Sequence, residues 1–126
     1  MEKIDILVVD DSENFRELIK DFLEQQQEVQ KVTTAVSGKE AIESLEKFIP
    51  KVILMDIVMP GLNGFETSEI IRSKFPDMPI IILSGNEVTD AREMIEKLKL
   101  NGFVNKVNLV SELIPAIFKS LRKRNQ

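Results

Sequence analysis

Four places in this chain set a polar residue just after, or at the end of, an apolar run. Asp10 and Asp11 follow Ile-Leu-Val-Val, Asp56 follows Val-Ile-Leu-Met, Ser84 follows Pro-Ile-Ile-Ile-Leu, and Lys106 follows Gly-Phe-Val-Asn. Taken singly, each has a plain structural reading: a helix cap, a turn, a turn, a surface lysine. The acidic pair resists its plain reading, because a cap needs one Asp. Two carboxylates ~4 Å apart repel by about 4 kcal/mol at an effective dielectric of 20. Three carboxylates, a hydroxyl and an amine are the parts of a site for a divalent cation and a phosphoryl group. A carboxylate can act as nucleophile and form an aspartyl-phosphate. The spread charge of the transferring group is stabilised by a metal ion, by an ammonium and by a hydroxyl donor. Asp56, Lys106 and Ser84 supply the protein's share. Mg²⁺ suits hard oxygen ligands, and the sequence has neither His nor Cys to offer a softer set.

For these residues to meet, the apolar runs must be parallel strands, whose C-termini share one edge. Adjacent strands are ~4.8 Å apart, so residues from several strand ends converge on one small ligand. The chain supports this. Ile4–Val9, Lys51–Met55, Pro79–Leu83 and Phe103–Lys106 read as strands, and Val29–Val36 alternates as a half-exposed edge strand does. Helical spacing separates them. Asp11 and Ser12 open a helix with Phe15, Leu18, Ile19, Phe22 and Leu23 inward. Ser37-Gly-Lys-Glu40 is a capping box opening a second helix with Ala41, Ile42 and Leu45 inward. A third runs from Phe65 to Phe75, entered at Gly64, and Phe75-Pro76-Asp77 stops it. A fourth covers Val88–Leu100, with Ala91, Met94, Ile95 and Leu98 inward. The last spans Val110–Leu121. Because Pro115 costs a backbone hydrogen bond outside a first turn, regular helix is expected near Ser111. Strands alternating with helices imply a (βα)5 α/β fold, a parallel five-stranded sheet covered on both faces. Pattern alone leaves strand order open. Open sheets of this kind bind ligands at the C-terminal strand edge.

The 126 residues make one domain, expected over 1–126, able to bury roughly two-thirds of its unfolded surface. No apolar run approaches the ~20 residues that span a bilayer, and no signal-peptide core opens the chain. A soluble cytoplasmic protein with no membrane contact is the expectation. The net charge of −4 speaks against direct nucleic-acid binding. Lys119, Arg122, Lys123 and Arg124 read as a solvated last helical turn facing the negative end of the helix dipole. With no His, any phosphohistidine must belong to another molecule.

The segments ILVVDDSENF, VILMDIVMPGLNGFE, PIIILSGNE and NGFVNK resemble the receiver domain of two-component response regulators, in register and order along nearly the whole chain. The Asp-x-x-Met-Pro-x-x-x-Gly signature stands at Asp56–Gly64. The resemblance implies a flavodoxin-like three-layer sandwich with sheet order 2-1-3-4-5. It implies that Asp56 accepts a phosphoryl group from a sensor histidine kinase or histidine phosphotransfer protein. Asp11 and Asp56 would bind Mg²⁺ directly, Asp10 mostly through water, and the Val58 backbone carbonyl would complete the protein ligands. Lys106 would pair with the phosphoryl group. Ser84 would swing toward it and Phe103 would follow, a switch read out on the surface of the fourth helix, fifth strand and fifth helix. Without the resemblance, Phe103 reads as a core aromatic. A downstream target or an effector domain elsewhere in a larger regulator would receive the signal, with the chain a monomer or a phosphorylation-dependent dimer. Such a domain assists its own phosphorylation and dephosphorylation and is not otherwise an enzyme.

Two departures from the family pattern stand out. Val107 follows Lys106 where the family places a Pro after a cis bond, and a trans bond is expected because a cis non-proline bond costs ~2.5–4 kcal/mol. Val58 and Asn86 hold the positions to which hydrolysis rate responds in this family. An apolar Val58 cannot position water, so slow self-dephosphorylation is expected. Other readings fit less well. An interaction module of this fold acting without phosphorylation has no use for the intact Asp11, Asp56, Ser84 and Lys106 set. A flavodoxin-like cofactor site wants a donor-rich loop where Asp-Asp-Ser-Glu-Asn stands. No Gly-x-Gly-x-x-Gly marks a dinucleotide enzyme. A phosphatase with an Asp nucleophile wants a second acid where Val58 sits.

Overall fold

The computed structural model describes residues 2–85 and 91–124. Five strands, β1 (Ile4–Val9), β2 (Val29–Ala35), β3 (Val52–Asp56), β4 (Ile80–Ser84) and β5 (Gly102–Asn105), alternate with α1 (Glu13–Glu24), α2 (Gly38–Ser44), α3 (Gly64–Lys74), α4 (Ala91–Lys97) and α5 (Leu109–Arg124). All pairings are parallel, in the order β2-β1-β3-β4-β5. The three central strands are apolar on both faces because both faces are covered. Ile6, Val8, Leu54, Ile81 and Leu83 pack under α1 and α5 against Ile19, Leu23, Leu113 and Ile117. Leu7, Val9, Ile53, Met55, Ile80 and Ile82 pack on the other side against Ala41, Ile71 and Leu98 of the α2–α4 layer.

The differences from the sequence reading are local and have physical causes. β2 is an edge strand, but it does not alternate strictly. Its register against β1 shifts between Ile4↔Val29 and Asp5↔Lys31, leaving Gln30 as an extra residue. The bulge lets Val29 and Val32, three apart, enter the same core layer. In α1, Leu18 is 61% exposed, because the buried stripe is centred on Ile19 and Leu23 and Leu18 lies beyond its margin. In α2, Ser37 Oγ accepts from Glu40 N at 3.1 Å, but Glu40 Oε1 accepts from Val36 N, so the box closes one residue early. The fourth helix is described from Ala91; its expected start at Val88, and Asn86, lie outside the described residues. α5 starts at Leu109, directly after a 3-10 turn (Lys106–Asn108), and continues through Pro115. The carbonyl that Pro115 cannot serve belongs to exposed Ser111, where solvent can reach it. No described helix is long and apolar enough to cross a membrane.

Two details hold the sheet edges. Gly64 lies against the end of β3, and a Cβ there would overlap the Asp56 carbonyl oxygen. Asn63 caps α3 reciprocally: its Oδ1 accepts from Glu66 N at 2.8 Å and its N donates to Glu66 Oε1 at 2.9 Å. At the N-terminal edge, Arg72 joins three segments. Its Nε donates to Leu98 O (3.1 Å), Nη1 to Met78 O (2.6 Å), and Nη2 to Lys99 O (3.0 Å) and Asn101 Oδ1 (3.1 Å). Asn101 Oδ1 also accepts from Ile80 N, which fixes the start of β4.

Candidate functional site

The residues singled out by type and position do meet. β1, β3, β4 and β5 end at one edge, and the residues at or just past those ends are Asp10, Asp11, Asp56, Ser84 and Lys106. One carboxylate oxygen from each of Asp10, Asp11 and Asp56 lies within 4.8 Å of the others. Lys106 Nζ reaches Asp10 Oδ2 at 2.8 Å and Asp56 Oδ1 at 3.2 Å. Asp11 is exposed, whereas Asp10 and Asp56 are buried.

Local structure aims each group. Asp10 Oδ1 accepts from Ser12 N at 2.8 Å, so both Asp10 oxygens are engaged within the protein. Ser12 Oγ accepts from Phe15 N and opens α1, while Arg16 Nη1 donates to the Asp10 carbonyl at 2.8 Å. Lys106 opens the 3-10 turn after β5. There Asn105 Oδ1 accepts from Val107 N at 2.9 Å, and the Lys106–Val107 peptide is trans, as expected. Ser84 is fully buried, and its hydroxyl donates to the Gly85 carbonyl at 3.0 Å. Val58 lies in the loop after β3 with its side chain exposed. Phe103 is 40% exposed on β5, not a core aromatic; it pairs in register with Ile82, one position before Val104, which takes the buried side.

The electrostatics of the nest are unbalanced. Among the described residues, three carboxylates face one ammonium. Burial, then the charge of Asp10, push the Asp56 carboxyl up to about 6, and Lys106 offsets only part of this. Burial works to lower the Lys106 ammonium, but the hydrogen bond and charge of Asp10, followed by those of Asp56, hold it above its ordinary value. A hard cation would supply what the nest lacks. Exposed Asp11 and strained Asp56 have oxygen to offer, and all the donors are hard oxygens, so the residues present fit Mg²⁺.

Two contacts escaped the sequence reading. Phe15 gives its ring face to Lys106 Nζ, 4.1 Å from the centroid. Arg16 ties α1 to the end of β1. The helical spacing of Phe15 signals only burial, since a partner so distant in sequence leaves no local pattern. Ser12 was legible as a cap, and Arg16 one turn later was the available hint.

A doubly wound parallel sheet with an acidic nest and a lysine at its C-terminal edge places the molecule in the flavodoxin-like class of α/β folds. The response regulator receiver domain family matches residues 6–118. A protein-glutamate methylesterase/protein-glutamine glutaminase of Clostridium acetobutylicum is 39% identical over 103 residues, which is 82% of this chain and 30% of that protein. The transcriptional regulatory protein DegU of Brevibacillus brevis is 34% identical over 115 residues, 91% of this chain and 49% of that protein. The response regulator domain of Thermotoga maritima CheB superposes with a TM-score of 0.87 at 30% identity, covering 96% of this chain and 98% of that one. The chain belongs to the response regulator receiver domain family. It spans less than half the length of the two curated relatives.

Proposed function

We propose that Asp56 accepts a phosphoryl group from a partner's phosphohistidine, supplied by a sensor histidine kinase or a histidine phosphotransfer protein. The observation that carries this reading is the Lys106 ammonium bridging Asp10 and Asp56 beside Asp11 at the sheet edge. An Asp56 carboxylate oxygen attacks phosphorus, the P–N bond breaks, and the imidazole leaves with the electron pair. The raised carboxyl supports the assignment, since burial and like charge make Asp56 the group most relieved by a new partner. Lys106 keeps its proton and pairs with a phosphoryl oxygen. The Ser84 hydroxyl exchanges the Gly85 carbonyl for another, and Phe103, free on the surface, turns into the space Ser84 leaves. The new state is read on the surface of α4, β5 and α5 by a downstream target or by an effector domain.

Asp11, Asp56 and the Val58 carbonyl would hold Mg²⁺, with Asp10 reached through water because its own oxygens serve Lys106 and Ser12 N. The ion would supply neutralisation of charge on the phosphoryl oxygens. Intact-mass analysis after incubation with acetyl phosphate and Mg²⁺ tests the reading. One added phosphate on the wild type and none on Asp56→Asn is the expected result. No gain in either would turn the assignment toward an interaction module that signals without phosphate.

A further inference from the structure

The Lys106 ammonium is held from three directions. Asp10 and Asp56 take two of them at 2.8 and 3.2 Å, and the face of Phe15 takes the third at 4.1 Å. A cation within ~6 Å of a ring centroid is drawn to the negative face of the ring. Phe15 is only partly buried, at the border of the α1–α5 core, and so combines packing with this contact. Its place is fixed. Ser12 Oγ accepts from its N–H at 3.2 Å, and its neighbour Arg16 donates to the Asp10 carbonyl. The first turn of α1 therefore moves with the strand end that carries Asp10.

The partners differ in what else they can bind. Asp56, which holds Lys106 at 3.2 Å, is the carboxylate that a cation or a phosphoryl group would engage directly. A phenyl face binds neither. The loop that carries Lys106 is also lightly held: Val107 is 75% exposed, and the Asn105 side chain provides the local brace. We propose that Phe15 is a positioning residue for Lys106. Its ring, with Asp10, keeps the ammonium at the sheet edge while Asp56 is engaged elsewhere, so that Lys106 meets the incoming phosphoryl oxygen already in place. This rests on the reading of Asp56 as phosphoryl acceptor.

The test compares wild type, Phe15→Leu and Phe15→Tyr in the 126-residue chain, with Phe15→Met as a second apolar replacement should Leu disturb α1. The first readout is the ring-current shift of the Lys106 ε-methylene protons by NMR. Wild type and F15Y are expected upfield of the exposed lysines, and F15L and F15M are not. The second is phosphorylation by acetyl phosphate with Mg²⁺, followed by intact mass. F15L and F15M are expected to lose about three- to tenfold in maximal rate with little change in the half-saturating donor concentration. F15Y should recover most of that rate. A merely structural role predicts no such recovery tied to the shift. An apolar variant that loses the shift but is phosphorylated at the wild-type rate overturns the role of Phe15 alone. A wild type with the shift but without phosphate at any donor concentration overturns the Asp56 reading, and the role built on it.

Discussion

The two edges of the sheet each hold partly or wholly buried charge, and they treat it in opposite ways. At the N-terminal edge, every guanidinium nitrogen of Arg72 donates, chiefly to the carbonyls that end α3 and α4. At the C-terminal edge, three carboxylates share one ammonium among the described residues, and Asp56 is left with its carboxyl near 6. A buried charge whose hydrogen bonds are complete stabilises the fold. A buried charge short of partners costs stability until something arrives. The first edge is a fastening, and the second keeps an imbalance of charge that a ligand would relieve.

If that contrast holds, substitutions at the two edges have opposite signs. The largest effect is expected from Arg72→Leu, which strands several carbonyls in a part-buried corner. A loss of about 3 kcal/mol in urea denaturation is predicted, and a loss below about 1 kcal/mol would mean that solvent replaces Arg72 freely.

Asp56→Asn should stabilise. The folded carboxyl titrates near 6 against an ordinary 3.8, so between those values the folded protein holds more protons than the unfolded one. Stability therefore falls as pH rises through this window, by up to about 3 kcal/mol, and stays reduced above it. Asn removes the charge but keeps an acceptor for Lys106. A gain of about 2 kcal/mol at pH 7, vanishing below pH 4, is expected from denaturation at a series of pH values. Equal effects at both pH values would show that the nest is not strained. Mg²⁺ should narrow the difference between wild type and the Asp56→Asn protein by stabilising the wild type.

Asn63→Ala removes one side of the reciprocal cap that starts α3 and should cost about 1 kcal/mol by the same measurement. The smallest effect concerns the exposed Val58. Val58→Asn offers a side chain to position water, and about a threefold faster loss of phosphate from Asp56 is expected by timed intact mass. An unchanged rate would separate Val58 from hydrolysis.

Much of this contrast was legible in the amino-acid order, and unevenly so. Strands buried on both faces announce themselves as unbroken runs such as Ile4–Val9, and a parallel sheet then forces their ends together. That is why the sequence alone places Asp10, Asp56, Ser84 and Lys106 on one edge. The Gln30 bulge was hidden because one extra residue leaves composition unchanged. Leu18 misled because helical spacing defines a stripe but not where the stripe stops. The α5 boundary moved because Pro115 faces solvent, where a lost hydrogen bond matters least. Arg72 and the Phe15–Lys106 contact join segments far apart in sequence, so no local pattern carried them.

The most direct test of the central claim is to trap the acyl phosphate with borohydride and map the peptide. Reduction of an aspartyl-phosphate leaves homoserine at the modified position. Homoserine at residue 56 and nowhere else is the predicted result. Homoserine at residue 10 or 11, or an unmodified residue 56 in protein that has gained phosphate, would contradict it.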